Sequence, residues 1–127
     1  MEKYLALLSG IALIANFSGC DAGSTRATVT GTLKLPGAAT FTYYVWVEND
    51  TYAAVAETSG VVVASPTVNY SISDVLYGTY YIHAWVDDDA DGYADHEGYY
   101  GGVVVNPPSE PNAVVPSSGT VVFDITF

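Results

Sequence analysis

From Ala27 onward the chain repeats with a period of two, and nothing else in it so narrows the folds available. Ala27, Val29, Gly31, Leu33 and Leu35 alternate with Thr28, Thr30, Thr32 and Lys34. Between Phe41 and Glu48, the residues Phe41, Tyr43, Val45 and Val47 share one face, and Tyr44 and Trp46 the other. Val68, Tyr70 and Ile72 keep the rule, as do Thr79–Val86 and the closing set Val121, Phe123, Ile125 and Phe127. Successive strand side chains point to opposite faces, so this pattern predicts strands buried on one side. Tyr52–Glu57 and Val61–Ala64 predict two shorter strands, and Val103–Val105 a further one before the loop from Pro107 to Pro116. Pro36-Gly37, Asn49-Asp50 and Thr58-Ser59-Gly60 carry turn chemistry between them. No segment after Cys20 has a helical period. The expectation is all-β: a single antiparallel Greek-key β-sandwich of about seven strands.

The N-terminus belongs to a different kind of segment. Lys3 gives it a small positive start, and Leu5–Ala15 is apolar except at Ser9 and Gly10. That run is too short for an ordinary membrane span and has the length of a signal-peptide core. It ends in Phe17-Ser18-Gly19-Cys20, which resembles the lipobox of bacterial lipoproteins. The resemblance implies a leader over residues 1–19, removed once the Cys20 thiol is lipidated. A tether over residues 20–26 and an exported domain over 27–127 would follow, held at a membrane by acyl chains. Cys20 is the only cysteine, so the domain has no internal disulfide in a compartment that permits one. The alternative is a plain secretory leader with an incidental cysteine. Asp21 resembles an inner-membrane retention signal, a rule that does not hold across all bacteria, so inner and outer membrane both stay open. The expected location is the bacterial cell envelope, lipid-anchored and extracytoplasmic.

Charge excludes some partners. Only Arg26 and Lys34 are basic after Cys20, whereas only Glu2 of the fourteen acidic residues precedes it. Such a surface repels nucleic acid and anionic headgroups, which are bound through Lys and Arg. Cations, neutral glycans and basic protein surfaces remain. The length after Cys20 fits one domain.

The run Asp87-Asp88-Asp89-Ala90-Asp91-Gly92-Tyr93-Ala94-Asp95 carries the clearest chemistry. Alternating carboxylates followed by a glycine let a short loop wrap oxygen ligands around a hard cation. With Asp87 first, Asp89 and Asp91 take the third and fifth positions of a helix-flanked calcium loop. Gly92 then supplies the sharp turn, the Tyr93 carbonyl the seventh position and Asp95 the ninth. Gly98 stands where a bidentate glutamate is usual, with Glu97 one residue early. Unneutralised, these neighbouring carboxylates repel one another. Ca²⁺ is therefore the expected cofactor, with Asp87, Asp89, Asp91, Tyr93, Asp95 and Glu97 as ligands. Mg²⁺ or Mn²⁺ and a simply solvated acidic loop are the alternatives. His96 lies in the same stretch and is expected to be solvated; His83 is expected as a packed strand residue opposite Tyr80, Ile82 and Ala84.

Leu76-Tyr77-Gly78-Thr79-Tyr80 has the spacing of a tyrosine corner, in which a hydroxyl at a strand start bonds back to the preceding connection. With Leu76–Val86, the acidic loop and Gly98-Tyr99-Tyr100-Gly101, the chain resembles the immunoglobulin-like, transthyretin-like sandwiches of bacterial lipoproteins and carboxypeptidase regulatory-type domains. The resemblance implies binding or structural duties and supplies no catalytic residues. No nucleophile elbow is present, and the Asp spacing is that of ligands, so no enzymatic activity is expected. Trp85, Tyr99 and Tyr100, near the loop, are candidate contacts for a glycan or an envelope protein. The rival expectation is a structural accessory subunit of an envelope complex, its acidic loop docked on a basic partner without metal.

Overall fold

A computed structural model describes residues 25–102 and 106–127. The leader, Cys20, most of the tether and Val103–Val105 lie outside the described residues. Among the described residues there is no helix, and seven strands form one sheet system. They are β1 (Arg26–Glu48), β2 (Ala54–Leu76), β3 (Gly78–Asp87), β4 (His96–Tyr99), β5 (Ala113–Val115), β6 (Thr120–Val122) and β7 (Ile125–Thr126). The order is β2-β1-β3-β4, with β5 on β3 and both β6 and β7 on β1.

Five expected strands are two long ones: Ala27–Leu35 and Phe41–Glu48 run on as β1, and Tyr52–Glu57, Val61–Ala64 and the strand of Val68, Tyr70 and Ile72 run on as β2. β1 and β2 form an antiparallel hairpin of 23-residue arms. Pro36-Gly37 does not end β1, because the ladder steps from Lys34–Thr67 to Ala39–Ser65 and leaves Pro36 in an irregularity. A residue without an N–H is tolerated there but not inside a regular ladder. Thr58-Ser59-Gly60 is not a turn either; those residues pair with Val45, Tyr44 and Tyr43. Gly60 is needed for close approach, since a Cβ there would meet the Tyr43 ring at 2.9 Å. The glycine makes room for a cross-strand aromatic, and the β1 ladder overrides its turn propensity.

The C-terminal alternation holds in burial, with Phe123 and Ile125 inside, but the strand is broken and runs parallel to β1. Between β6 and β7, Asp124 Oδ1 accepts the Thr32 N–H at 2.8 Å, a side chain standing in for a ladder carbonyl. Phe123 and Phe127 N–H groups resume the pairing on Thr30 and Lys34 carbonyls, each at 2.8 Å.

One hydrophobic cluster joins both halves of the hairpin. Val29 and Leu33 come from the first half of β1, Phe41, Val45 and Val47 from the second, and Ile82, Ala84 and Val86 from β3. Each fully buried side chain of this kind stabilises by about 1.5–3 kcal/mol relative to exposure. The start of β3 is pinned as the sequence predicts: the Tyr80 hydroxyl donates to the Leu76 carbonyl at 2.8 Å.

Because Val45, Val47, Ile82, Ala84 and Val86 point into this core, their alternates share the opposite face. Tyr44 lies across from Trp85, Trp46 from His83, and Glu48 from Tyr81. β4 continues the face by setting Tyr99 across from His83 and Glu97 across from Trp85. The acidic loop joins β3 to β4 at the end of this sheet.

Candidate functional site

The acidic loop is organised by its own backbone. Asp87 ends β3 and is buried. Its Oδ1 accepts N–H groups from Asp89 at 3.2 Å and Ala90 at 2.8 Å, and its Oδ2 accepts that of Gly92 at 2.9 Å. Asp89 repeats the pattern on Asp91 N–H at 3.2 Å, and Asp91 on Tyr93 N–H at 2.9 Å. Each carboxylate thus fixes the turn that presents the next one, which is what the alternate spacing encodes. Gly92 has φ 87°, a conformation that costs glycine little and other residues more. At the far side Asp95 Oδ2 accepts the Asp88 N–H at 2.7 Å, and Asp95 N–H donates to the Val86 carbonyl at 2.7 Å, closing the loop.

The result is a convergence of oxygens. Asp87, Asp89, Asp91 and Asp95 each offer a carboxylate atom within 4.8 Å of the others. These four aspartates can hold a metal ion, and an all-oxygen donor set suits a hard cation rather than a thiophilic one. Electrostatics within the loop is uneven. Burial pushes Asp87 up, but the backbone N–H groups of Gly92, Asp89 and Ala90 outweigh it and hold the carboxyl below its ordinary range. Asp89 moves the other way: burial raises it, and the carboxylates of Asp91 and Asp95 add to the rise. Desolvation thus leads the rise, with like charge adding to it.

Tyr93, expected to act through its carbonyl, has an exposed side chain and an N–H engaged with Asp91, which leave that carbonyl's part untouched. One expected ligand stands apart. Glu97 is outside the four-aspartate group: it belongs to β4, and its Oε2 lies 2.7 Å from His83 Nε2. A strand residue opposite Trp85 projects onto the sheet face, which takes Glu97 away from the loop. His96 is not simply solvated; its Nε2 lies 3.2 Å from Asp88 Oδ2 and its ring packs at a tilt on Phe127.

The outer sheet face holds a second constellation that the sequence only half showed. His83 stands on the expected face, but both its ring nitrogens meet carboxylates: Nδ1 lies 3.0 Å from Glu48 Oε2, and Nε2 faces Glu97. As imidazolium the ring donates to both; as neutral imidazole it can donate to only one. Tyr99 stacks on it at 4.3 Å with planes 3° apart, and Trp46 leans in at 5.1 Å. Burial and the Glu48 and Glu97 carboxylates push the Tyr99 phenol up to about 12. Glu48 is buried, and its Oε1 has no hydrogen-bond partner.

Beside this triad, Tyr44, Trp46 and Trp85 line a shallow cleft of about 180 Å³. Trp85 and Tyr99 therefore fall on one half-buried aromatic face. Tyr100 does not join them; its ring packs edge-on against Phe123 at 4.8 Å, on the core side. Sequence reasoning missed Glu48 as a partner of His83. The available signal was Tyr44, Trp46 and Glu48 at alternate positions, one face of one strand.

No family model, no curated protein and no solved structure matches this chain.

Proposed function

We propose that this chain is a non-enzymatic binding module of the bacterial cell envelope. Lipidated Cys20 anchors it, an immunoglobulin-like β-sandwich forms its body, and Ca²⁺ in the loop Asp87–Asp95 stiffens the end of the sandwich. The bound ion holds that end in place, so that the neighbouring face with Trp85 and Tyr99 meets a glycan or a protein. The observation that carries the reading is the convergence of four aspartate oxygens within 4.8 Å. A hard cation among these carboxylates would offset both the desolvation and the like charge that raise Asp89. A single hydrophobic cluster spanning both halves of the β1–β2 hairpin supports the sandwich, as does the Tyr80 corner bond.

One observation favours a second reading, a structural subunit whose acidic loop docks on a basic partner without metal. The loop carboxylates already accept backbone N–H groups, so the loop keeps a shape without an ion. Capture of envelope components on the full chain separates the two. Binding lost on chelation and restored by Ca²⁺ supports the first reading. Binding that survives chelation but fails at high salt supports the second and overturns the first. The anchor is tested alongside: Cys20→Ala should move the chain from the membrane fraction to the soluble one, and unchanged fractionation contradicts lipidation.

A further inference from the structure

Both tryptophans of the chain, Trp46 and Trp85, lie on the outer face of β1, β3 and β4, together with Tyr44. Strand register brackets them with acid. Glu57 on β2 lies across from Trp46, and Glu97 on β4 across from Trp85. Glu48 follows two residues after Trp46 on the same face, more than nine-tenths buried, with Oε1 lacking a donor. The basic residues of the described chain, Arg26 and Lys34, belong to the other half of β1 and do not neutralise this face.

We infer that this face is a docking site for a basic polypeptide segment, with an arginine or lysine side chain laid across the Tyr44–Trp46–Trp85 cleft. The inference rests on the binding-module reading and names the class of partner. Its chemistry has two complementary parts. The aliphatic stem and the cationic head of such a side chain pack favourably on indole and phenol faces. The head is then directed to one flanking carboxylate, Glu57 toward β2 or Glu97 toward β4, which stand three strands apart, and a guanidinium can form paired bonds with a carboxylate. A neutral sugar could stack on the same rings, but it would leave the flanking negative charge uncompensated. Charge complementarity therefore selects the cation.

The two tryptophans make the test direct, because fluorescence excited selectively at tryptophan reports this face rather than the eleven tyrosines. The full chain in mild non-ionic detergent, at physiological salt, is titrated with a capped Gly-Arg-Gly-Arg-Gly peptide. The same peptide with Gln for Arg, argininamide and a neutral oligosaccharide are run beside it. The expected result is a saturable emission change with the Arg peptide and none with the Gln peptide. Glu57→Gln/Glu97→Gln should weaken binding about tenfold or more, since it removes the charge-assisted contact whichever glutamate the head uses. Tyr44→Ala, at an exposed position, should also weaken binding and provides a variant that leaves the carboxylates in place. Equal response to the Gln peptide, saturation by the oligosaccharide alone, or argininamide binding as tightly as the peptide would each overturn the inference. So would an equal loss in Asp89→Asn/Asp91→Asn, which would place the attraction on the acidic loop. A peptide that fails to bind a chain still stabilised by Ca²⁺ removes this inference and leaves the metal-bound module standing.

Discussion

The acidic loop and the outer sheet face both gather carboxylates, yet they hold them by opposite means. In the loop, aspartates close together in sequence are held by neighbouring N–H groups, and the chain bends around them. On the face, Glu48 and Glu97 come from different strands and are held by one imidazole between them. Backbone amides fix the direction of a carboxylate but leave its charge in place, so the loop is poised for a cation. On the face, one ring nitrogen meets each glutamate, so those carboxylates are held by a side chain rather than by the backbone. The difference teaches that an acidic cluster has to be judged by what satisfies it as well as by how many charges it holds.

Removing the imidazole should produce the largest loss of folding stability. His83→Ala leaves Glu48, already short of one donor, facing Glu97 across the vacated space. The expected cost is about 2 kcal/mol, below the range for a fully buried pair because Glu97 is partly exposed. In thermal unfolding that is a fall of roughly 8–16 °C for a domain of this size. Any stabilisation by Ca²⁺ should be unchanged, and its loss in this variant would show that loop and face are one site.

Glu97→Gln sharpens the comparison further. It should cost about 1 kcal/mol through the weakened His83 contact and leave the Ca²⁺ midpoint in calorimetric titration where it was. A midpoint displaced about tenfold would return Glu97 to the ion's ligands. Asp87→Asn is the counterpart in the loop. It should weaken Ca²⁺ binding by about a hundredfold while leaving Trp46 and Trp85 fluorescence unaltered, because Asp87 both offers a ligand atom and holds the turn.

The smallest effects are those of pH, and their signs differ within the loop. The Asp87 carboxyl is lowered by folding, so its contribution is present above the ordinary carboxylate range and disappears as pH falls through its lowered value. Asp89 is raised, so it opposes folding once ionised, and that opposition is relieved as pH falls through its raised value. Carboxyl-carbon NMR titration in EDTA should therefore order the midpoints with Asp87 below Asp89. Ca²⁺ should bring Asp89 down; an unmoved Asp89 would mean that the ion sits elsewhere.

Much of this was legible in the sequence, and the missing parts share a physical origin. The period of two fixed which residues of β1 and β3 face inward, and the Tyr80 corner followed from spacing over five residues. The four-aspartate group was legible because a loop's geometry is local. Strand continuity was not: Pro36 and Gly60 carry turn chemistry, and only the partner strand's ladder reveals that the chain passes through them. The Glu48–His83–Glu97 constellation was equally hidden. It depends on register between strands far apart in sequence, which alternation alone does not set. Tyr99 and Tyr100, by contrast, go to opposite sides of the sheet as alternation alone requires of neighbours.

The most direct test is thermal unfolding of the full chain, titrated with Ca²⁺ and then with EDTA, beside Asp89→Asn/Asp91→Asn. Ca²⁺ at a hundredfold excess over its dissociation constant should stabilise the parent by about 2.7 kcal/mol, with a Tm rise reversed by EDTA. The variant should show no such rise, and its Tm in EDTA should match or slightly exceed the parent's, because two mutually repelling charges are gone. A parent Tm indifferent to millimolar Ca²⁺, or a variant that responds equally, would contradict the metal-bound loop.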